Sequence, residues 1–180
     1  MVNKSKTVFV TVGSTKFEQL ILRMLEKDVL DFLKKNSYDK LVLQIGNGKH
    51  EQNGDINDVD EVNGSKLFFK QNVEINVYRY KSSLREDLER SDLVISHAGA
   101  GSIIESLEAN KPLIVVINES LMNNHQYELA EKMHSEGFLL YSRVSDLLAT
   151  LNEAQSAQLE PYRPGNAKLF GKHLSSLCSS

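Results

Sequence analysis

Cysteine is almost missing from this chain: 180 residues contain one, Cys178. A lone cysteine excludes a disulfide framework and a Cys-rich zinc site within one chain, and it points to a reducing, cytosolic compartment. There is no excess of positive charge either. Lys+Arg number 21 against 24 Asp+Glu, a net charge of -3, so the basic field that nucleic-acid coating requires is absent and no nucleic-acid partner is expected. No apolar run reaches the roughly 18 residues that a membrane span needs. The opening, Met1-Val2-Asn3-Lys4-Ser5-Lys6, lacks the apolar core of a signal peptide, and Val2 stands where myristoylation requires glycine. Familiar glycine signatures are missing too. Without GxxxxGK[ST] a Walker-type NTPase is disfavoured, and without GxSxG so is a nucleophile-elbow hydrolase. The turn Val12-Gly13-Ser14-Thr15-Lys16-Phe17 has a single glycine where a dinucleotide fold wants three.

What is present is the material of one soluble domain, 41% hydrophobic and 25% charged. Short β-branched runs alternate with segments of helical periodicity. Strands are expected at Thr7 to Gly13, Leu41 to Gly46, one or two between Lys66 and Tyr80, Leu93 to Ile95, Leu113 to Ile117 and Phe138 to Tyr141. Helices are expected after Thr15, which forms a capping box with Glu18, at Ser83 to Arg90, from near Ser102, from about Asn124 to Glu136, and near Val144 to Leu151. Lys27, Lys34 and Lys35 read as the wet face of the first helix, and Asn47 to Asn63 as a polar loop. This βα alternation predicts a single Rossmann-like parallel sheet with helices on both faces, whose ligands bind beyond the C-terminal strand ends. The loops that matter are those after Val12, Tyr80, Ile95 and Ile117.

Two of these turns suit phosphate. Gly13-Ser14-Thr15 is small and hydroxyl-rich at a helix start, where backbone N–H groups and the helix dipole favour an anion. Taken alone, it reads first as an ordinary strand-to-helix turn capped by Thr15. The second, Ser96-His97-Ala98-Gly99-Ala100-Gly101-Ser102-Ile103-Ile104-Glu105, places small residues after a buried strand. There His97 and Ser102 can donate to phosphate oxygens and Glu105 can accept from both ribose hydroxyls. Ser102-x-x-Glu105 is also a capping box, so Glu105 reads as a ribose ligand or as a capping residue.

His97-x-Gly99-x-x-Ser102-x-x-Glu105, with Pro112 beyond it and His125-Gln126 after the next strand, resembles the nucleotide-sugar signature of GT-B glycosyltransferases. These include plant UDP-sugar transferases and the bacterial enzymes that add N-acetylglucosamine to lipid I. Val10 to Thr15, Ser83 to Asp87, Asp92 to Ser102 and Asn123 to Gln126 are more specifically similar to one group. It comprises the catalytic subunits of eukaryotic transferases that add the second GlcNAc of the dolichol-linked N-glycan precursor. The likeness runs from Thr7 to at least Glu136.

That resemblance implies the C-terminal, donor-binding half of a GT-B enzyme, over residues 1–160. UDP-GlcNAc would be the donor and GlcNAc-diphospho-dolichol the acceptor, with a membrane-anchored subunit supplying the acceptor half. The chain would be cytoplasmic and recruited to the cytosolic face of the endoplasmic reticulum. By the same resemblance Gly13, Ser14, Thr15, His97 and Ser102, with Gly99, Ala100 and Gly101 between them, hold the pyrophosphate. Glu105 reads the ribose, His125 and Gln126 touch sugar hydroxyls, and the loop Tyr80-Lys81-Ser82 meets uracil. Gly101 departs from the plant pattern, which has Asn there. No cofactor or metal is called for, and Asp58-Val59-Asp60 reads as a solvated acidic pair. Inversion at an α-linked donor needs a general base on the acceptor hydroxyl. None stands out in this chain, so it is expected on the partner or at the interface, with His97 stabilising the leaving diphosphate.

A non-catalytic nucleotide-sugar-binding regulatory module remains the alternative, and a dinucleotide oxidoreductase is disfavoured by the first turn. His50, His134 and His173 have no partners at metal spacing. After Pro161 and Pro164, the residues Leu169, Phe170, His173, Leu174 and Leu177 form one apolar stripe. It suits either a terminal helix packed on its own domain or a segment, 161–180, that docks on the partner.

Overall fold

The computed structural model describes residues 5–49, 54, 56, 64–121 and 124–163, and only the backbone of 121 and 124–126. Seven strands make one sheet: β1 (Lys6–Thr11), β2 (Tyr38–Gln44), β3 (Ser65–Lys70), β4 (Val73–Tyr78), β5 (Leu93–His97), β6 (Leu113–Ile117) and β7 (Leu140–Arg143). Their order is β3-β4-β2-β1-β5-β6-β7, and every pairing is parallel except that of β3 with β4. The expected parallel Rossmann-like sheet is present, with one antiparallel strand added at its edge. The cause of that reversal is local. Gln71 and Asn72 take φ of +50° and +59°, the primed two-residue turn that folds a strand back on itself.

Helices cover both faces. α1 (Glu18–Met24), α2 (Lys27–Lys35) and α6 (Leu147–Ala154) pack on one side, and α3 (Arg85–Arg90), α4 (Ala100–Glu108) and α5 (Asn124–Ser135) on the other. The central strands are apolar on both faces because both are covered: Val8, Phe9 and Val10 are all fully buried. Each such side chain contributes roughly 1.5–3 kcal/mol relative to exposure.

The first helix expected from the sequence is two. The chain bends at Glu26, whose ψ is 148°, and Arg23 bridges the corner to Glu26 and Asp28 at 2.5 and 2.7 Å. Arg23 beside it holds the Asp28 carboxyl down to about 2. Lys27, Lys34 and Lys35 are exposed, but on α2. Other boundaries shift by a few residues: β7 runs to Arg143 and α6 begins at Leu147. Ile56, inside the stretch read as a polar loop, is fully buried against the α1/α2 side.

The topology places the site. From β1 the chain steps outward through β2 to β4, then returns to β5 on the other side of β1. The direction of winding reverses between β1 and β5, which opens a crevice beyond their C-terminal ends.

Candidate functional site

His97 closes β5 at the mouth of that crevice and is 8% exposed. Its ring lies between the two turns. A Cβ on Gly13 would come within 2.8 Å of His97 Cε1, and a methyl group at Gly99 would overlap the imidazole. Gly13 also has φ of +60°, a conformation that costs glycine little. The two glycines therefore make room for the histidine. A side chain at Gly101 would meet nothing within 4 Å.

His97 Nδ1 is buried without a hydrogen bond of ordinary geometry among the described residues. Burial pushes the imidazole below its usual value, and the Thr11 backbone only partly opposes this. At neutral pH the ring is therefore uncharged, with one N–H to donate. Because the unfolded chain takes up this proton near pH 6.5 and the folded chain only lower, the stability it contributes is complete above about 6.5. It is lost as pH falls through the folded value. Urea midpoints measured near pH 7.5 and about pH 5.5 should fall further for the wild-type chain than for His97→Gln. Equal falls would place the titration elsewhere.

Helix α4 starts at Ala100 with Gly99 as N-cap, no side-chain cap and no acidic residue in its first turn. Its first intrahelical bond runs from Ile103 N to the Gly99 carbonyl, at 3.0 Å. The N–H groups of Ala100, Gly101 and Ser102 thus have no partner within the helix and point at the crevice end, as an anion site requires. Ser102 is the third helical residue and not the cap, so the capping box with Glu105 does not form.

Glu105 is exposed. It lines a cleft of about 580 Å³ with Ser82, Ser83 and Leu84 from the loop after β4. Not engaged in capping, its carboxylate is exposed to the cleft. Glu105→Gln should weaken UDP binding about tenfold or more, equivalent to roughly 1.5–3 kcal/mol for a charge-assisted acceptor pair, without moving Tm. A lower Tm with unchanged affinity would return Glu105 to a structural role.

The loops around the crevice are laced by side chains that sequence reasoning passed over. Asn47 Nδ2 donates to the Ser14 carbonyl at 2.9 Å, and the Tyr80 hydroxyl donates to Asn47 Oδ1 at 2.6 Å. Arg79 Nη1 donates to the carbonyls of Gly46 and Gly48 at 3.1 and 2.6 Å. Gln44, 2% exposed, binds the Gly13 turn directly. One signal for it was available: a carboxamide within the otherwise apolar Leu41-Val42-Leu43-Gln44-Ile45. The Thr15–Glu18 capping box is also absent. α1 starts at Glu18 with Phe17 as N-cap, the Thr15 hydroxyl donates to the Val12 carbonyl at 2.7 Å, and Glu18 accepts from Lys49 N. Thr15 thus tightens its own turn.

Lys81 is drawn to one side. Its ammonium donates to both Asp87 oxygens at 2.9 and 2.8 Å and sits 4.2 Å above the Tyr78 ring. The Tyr78 hydroxyl also donates to Asp87, and burial pushes this phenol well above its usual range.

His125 and Gln126 fall in the first turn of α5, and their side chains lie outside the described residues. His50, Asp58 to Asp60, His173 and Cys178 also lie outside them. His134 is exposed, with Nδ1 3.0 Å from the Leu139 carbonyl. Among the described residues no group of His, Cys, Asp and Glu could hold a metal ion, and no helix is long and apolar enough to cross a membrane.

An α/β sheet whose winding reverses between β1 and β5, with a glycine turn, a buried histidine and an uncapped helix at the reversal, defines a Rossmann-type domain with its crevice at that point. The particular family follows from comparison with known proteins: residues 7–176 match the glycosyltransferase family 28 C-terminal domain, and the chain belongs to that family. It is 46% identical over 165 residues to the mouse (Mus musculus) UDP-N-acetylglucosamine transferase subunit ALG13, covering 87% of this chain and 13% of the mouse protein's length. The NMR solution structure of ALG13 superposes with a TM-score of 0.70 at 28% identity, covering 94% of this chain and 97% of that one. Crystalline MurG from Acinetobacter baumannii shares the fold, with a TM-score of 0.58 at 18% identity over 87% of this chain and 42% of its own. The expected correspondence to the C-terminal half of a GT-B enzyme holds.

Proposed function

We propose that this chain is the donor-binding, catalytic part of an N-acetylglucosaminyltransferase, transferring GlcNAc from UDP-GlcNAc to GlcNAc-diphospho-dolichol with inversion. The observation that carries the reading is the His97 ring wedged between Gly13 and Gly99, beside the uncapped start of α4. The diphosphate would sit there, against Ser14, His97 and the N–H groups of Ala100 to Ser102. Uracil and ribose would occupy the cleft between the Tyr80–Leu84 loop and Glu105. As the glycosidic bond breaks, negative charge grows on the diphosphate, and preorganised donors stabilise it without reorganisation. An uncharged His97 would take up more positive character as that charge develops. His125 and Gln126 would contact sugar hydroxyls.

The acceptor hydroxyl would be deprotonated by a base on a membrane-anchored partner subunit or at the interface with it. That partner would recruit the chain to the cytosolic face of the endoplasmic reticulum; of the expected docking segment 161–180, the part after Tyr162 would dock, since Tyr162 itself packs on Phe138 of the UDP-sugar-binding domain expected at 1–160. Incubating the chain, UDP-GlcNAc and a GlcNAc-diphospho-lipid with membranes carrying the partner should produce the β1,4-linked disaccharide. Membranes or chain alone should not. UDP-GlcNAc binding without transfer in the complete mixture would favour a regulatory module.

A further inference from the structure

We propose that Gln44 is a positioning residue that sets the diphosphate turn, an inference that rests on the donor-site reading above. It ends β2, on the far side of β1 from His97. Its carboxamide uses every position it has. Oε1 accepts from Gly13 N at 2.9 Å and from the Thr11 hydroxyl at 2.6 Å. Nε2 donates to the Gly13 carbonyl and to the Arg79 carbonyl, both at 2.7 Å. Two lone pairs and two hydrogens are thus all engaged in a site that is 2% exposed.

Gripping both the N–H and the C=O of one residue fixes the orientation of the peptide planes on either side of it. That residue is Gly13, whose positive φ aims the turn at the crevice and whose lack of a side chain admits the His97 ring. The Thr11 hydroxyl completes the clamp: it donates to Gln44 and accepts from Gly13 N at 3.2 Å. The bond to Arg79 ties the same amide to the end of β4, from which the base-side loop departs. No other residue type offers two donors and an acceptor at this reach. Glutamate keeps the shape but loses both donors, leaving carboxylate oxygens facing the Gly13 and Arg79 carbonyls. Methionine keeps the volume and loses every bond.

Gln44 touches neither ligand in this account, so its loss should appear where the turn meets phosphate and not where the cleft meets the nucleoside. UDP and uridine would be titrated into the full chain by NMR for wild type, Gln44→Glu, Gln44→Met and Thr11→Val, with a melting curve for each. UDP affinity should fall about tenfold or more in the Gln44 variants and a few-fold in Thr11→Val, while uridine stays within about threefold. Thr11→Val, which retains the carboxamide and loses the hydroxyl's bond to it together with the weaker one from Gly13 N, tests the same clamp if the Gln44 variants do not fold. An unchanged UDP-to-uridine ratio in the folded variants would overturn the role of Gln44 alone. A wild-type chain that binds uridine and UDP equally, or neither, would overturn the diphosphate site and Gln44's part in it together.

Discussion

His97→Ala is expected to weaken UDP binding about 10- to 150-fold and to leave uridine binding nearly untouched. The lower figure corresponds to roughly 1.5 kcal/mol and the upper to about 3 kcal/mol, the range for a hydrogen bond to a charged group. The selectivity follows from position: the ring stands between Gly13 and Gly99 at the β1/β5 crevice, while the cleft by Glu105 is lined by α3, α4 and the loop after β4 and not by His97. Alanine also empties the space between the two glycines, so part of the loss could come from collapse of the turn. His97→Gln separates the two effects, because it fills most of the volume and keeps an N–H donor. Isothermal titration should order UDP affinity as wild type, then Gln, then Ala. Parallel losses for UDP and uridine would remove His97 from the phosphate site.

Truncation before Pro164 should abolish association with partner-containing membranes, and transfer with it, while the remaining chain still folds and binds UDP. The described domain supports its second half: Tyr162 is buried against Phe138, with ring centroids 5.9 Å apart, and Glu160 N donates to the Gly137 carbonyl at 2.9 Å. The fold is thus closed before the truncation point. In the proposed reading the interface is made by the apolar side chains Leu169, Phe170, Leu174 and Leu177. Burying them would contribute roughly 1.5–3 kcal/mol each before the cost of ordering the segment. Sedimentation of the truncated chain with partner-containing membranes is the measurement. Co-sedimentation with retained transfer would show that the segment belongs to its own domain.

Much of this fold was legible because its two-sided burial writes apolar β-branched runs, and β1, β5 and β6 are such runs. Where the sequence misled, the governing interaction was not periodic. Leu20, Ile21, Met24, Val29, Leu30 and Leu33 are all buried and nearly continue one helical stripe. The Arg23 ion pairs that accompany the bend at Glu26 are not visible in that stripe. The hairpin turn Gln71-Asn72 lacks the glycine that usually marks one. Both capping boxes matched their pattern and neither formed, because each helix starts elsewhere relative to it: α1 at Glu18, α4 at Ala100. For Glu105 that failure removes the capping-box reading of its motif. His97, Gly13 and Gly99 were identifiable as a group, but their contact required the β1/β5 pairing. Gln44 was marked only by a carboxamide in an apolar strand, and neither it nor Asn47 could be placed at the site, because each reaches a backbone carbonyl of the Gly13-Ser14 turn, which leaves no trace in the side-chain pattern.

The central claim is that the β1/β5 crevice holds a nucleoside diphosphate. A UDP titration of the isotope-labelled full chain, followed by amide chemical shifts, addresses it most directly. The account predicts saturable shifts at Gly13 and Ser14, at Gly99 to Ser102, and at Ser82 to Leu84 and Glu105, with uridine moving only the last group. Shifts absent from the Gly13 and Gly99–Ser102 amides, or confined to the opposite end of the strands around Asn110 and Lys111, would contradict it.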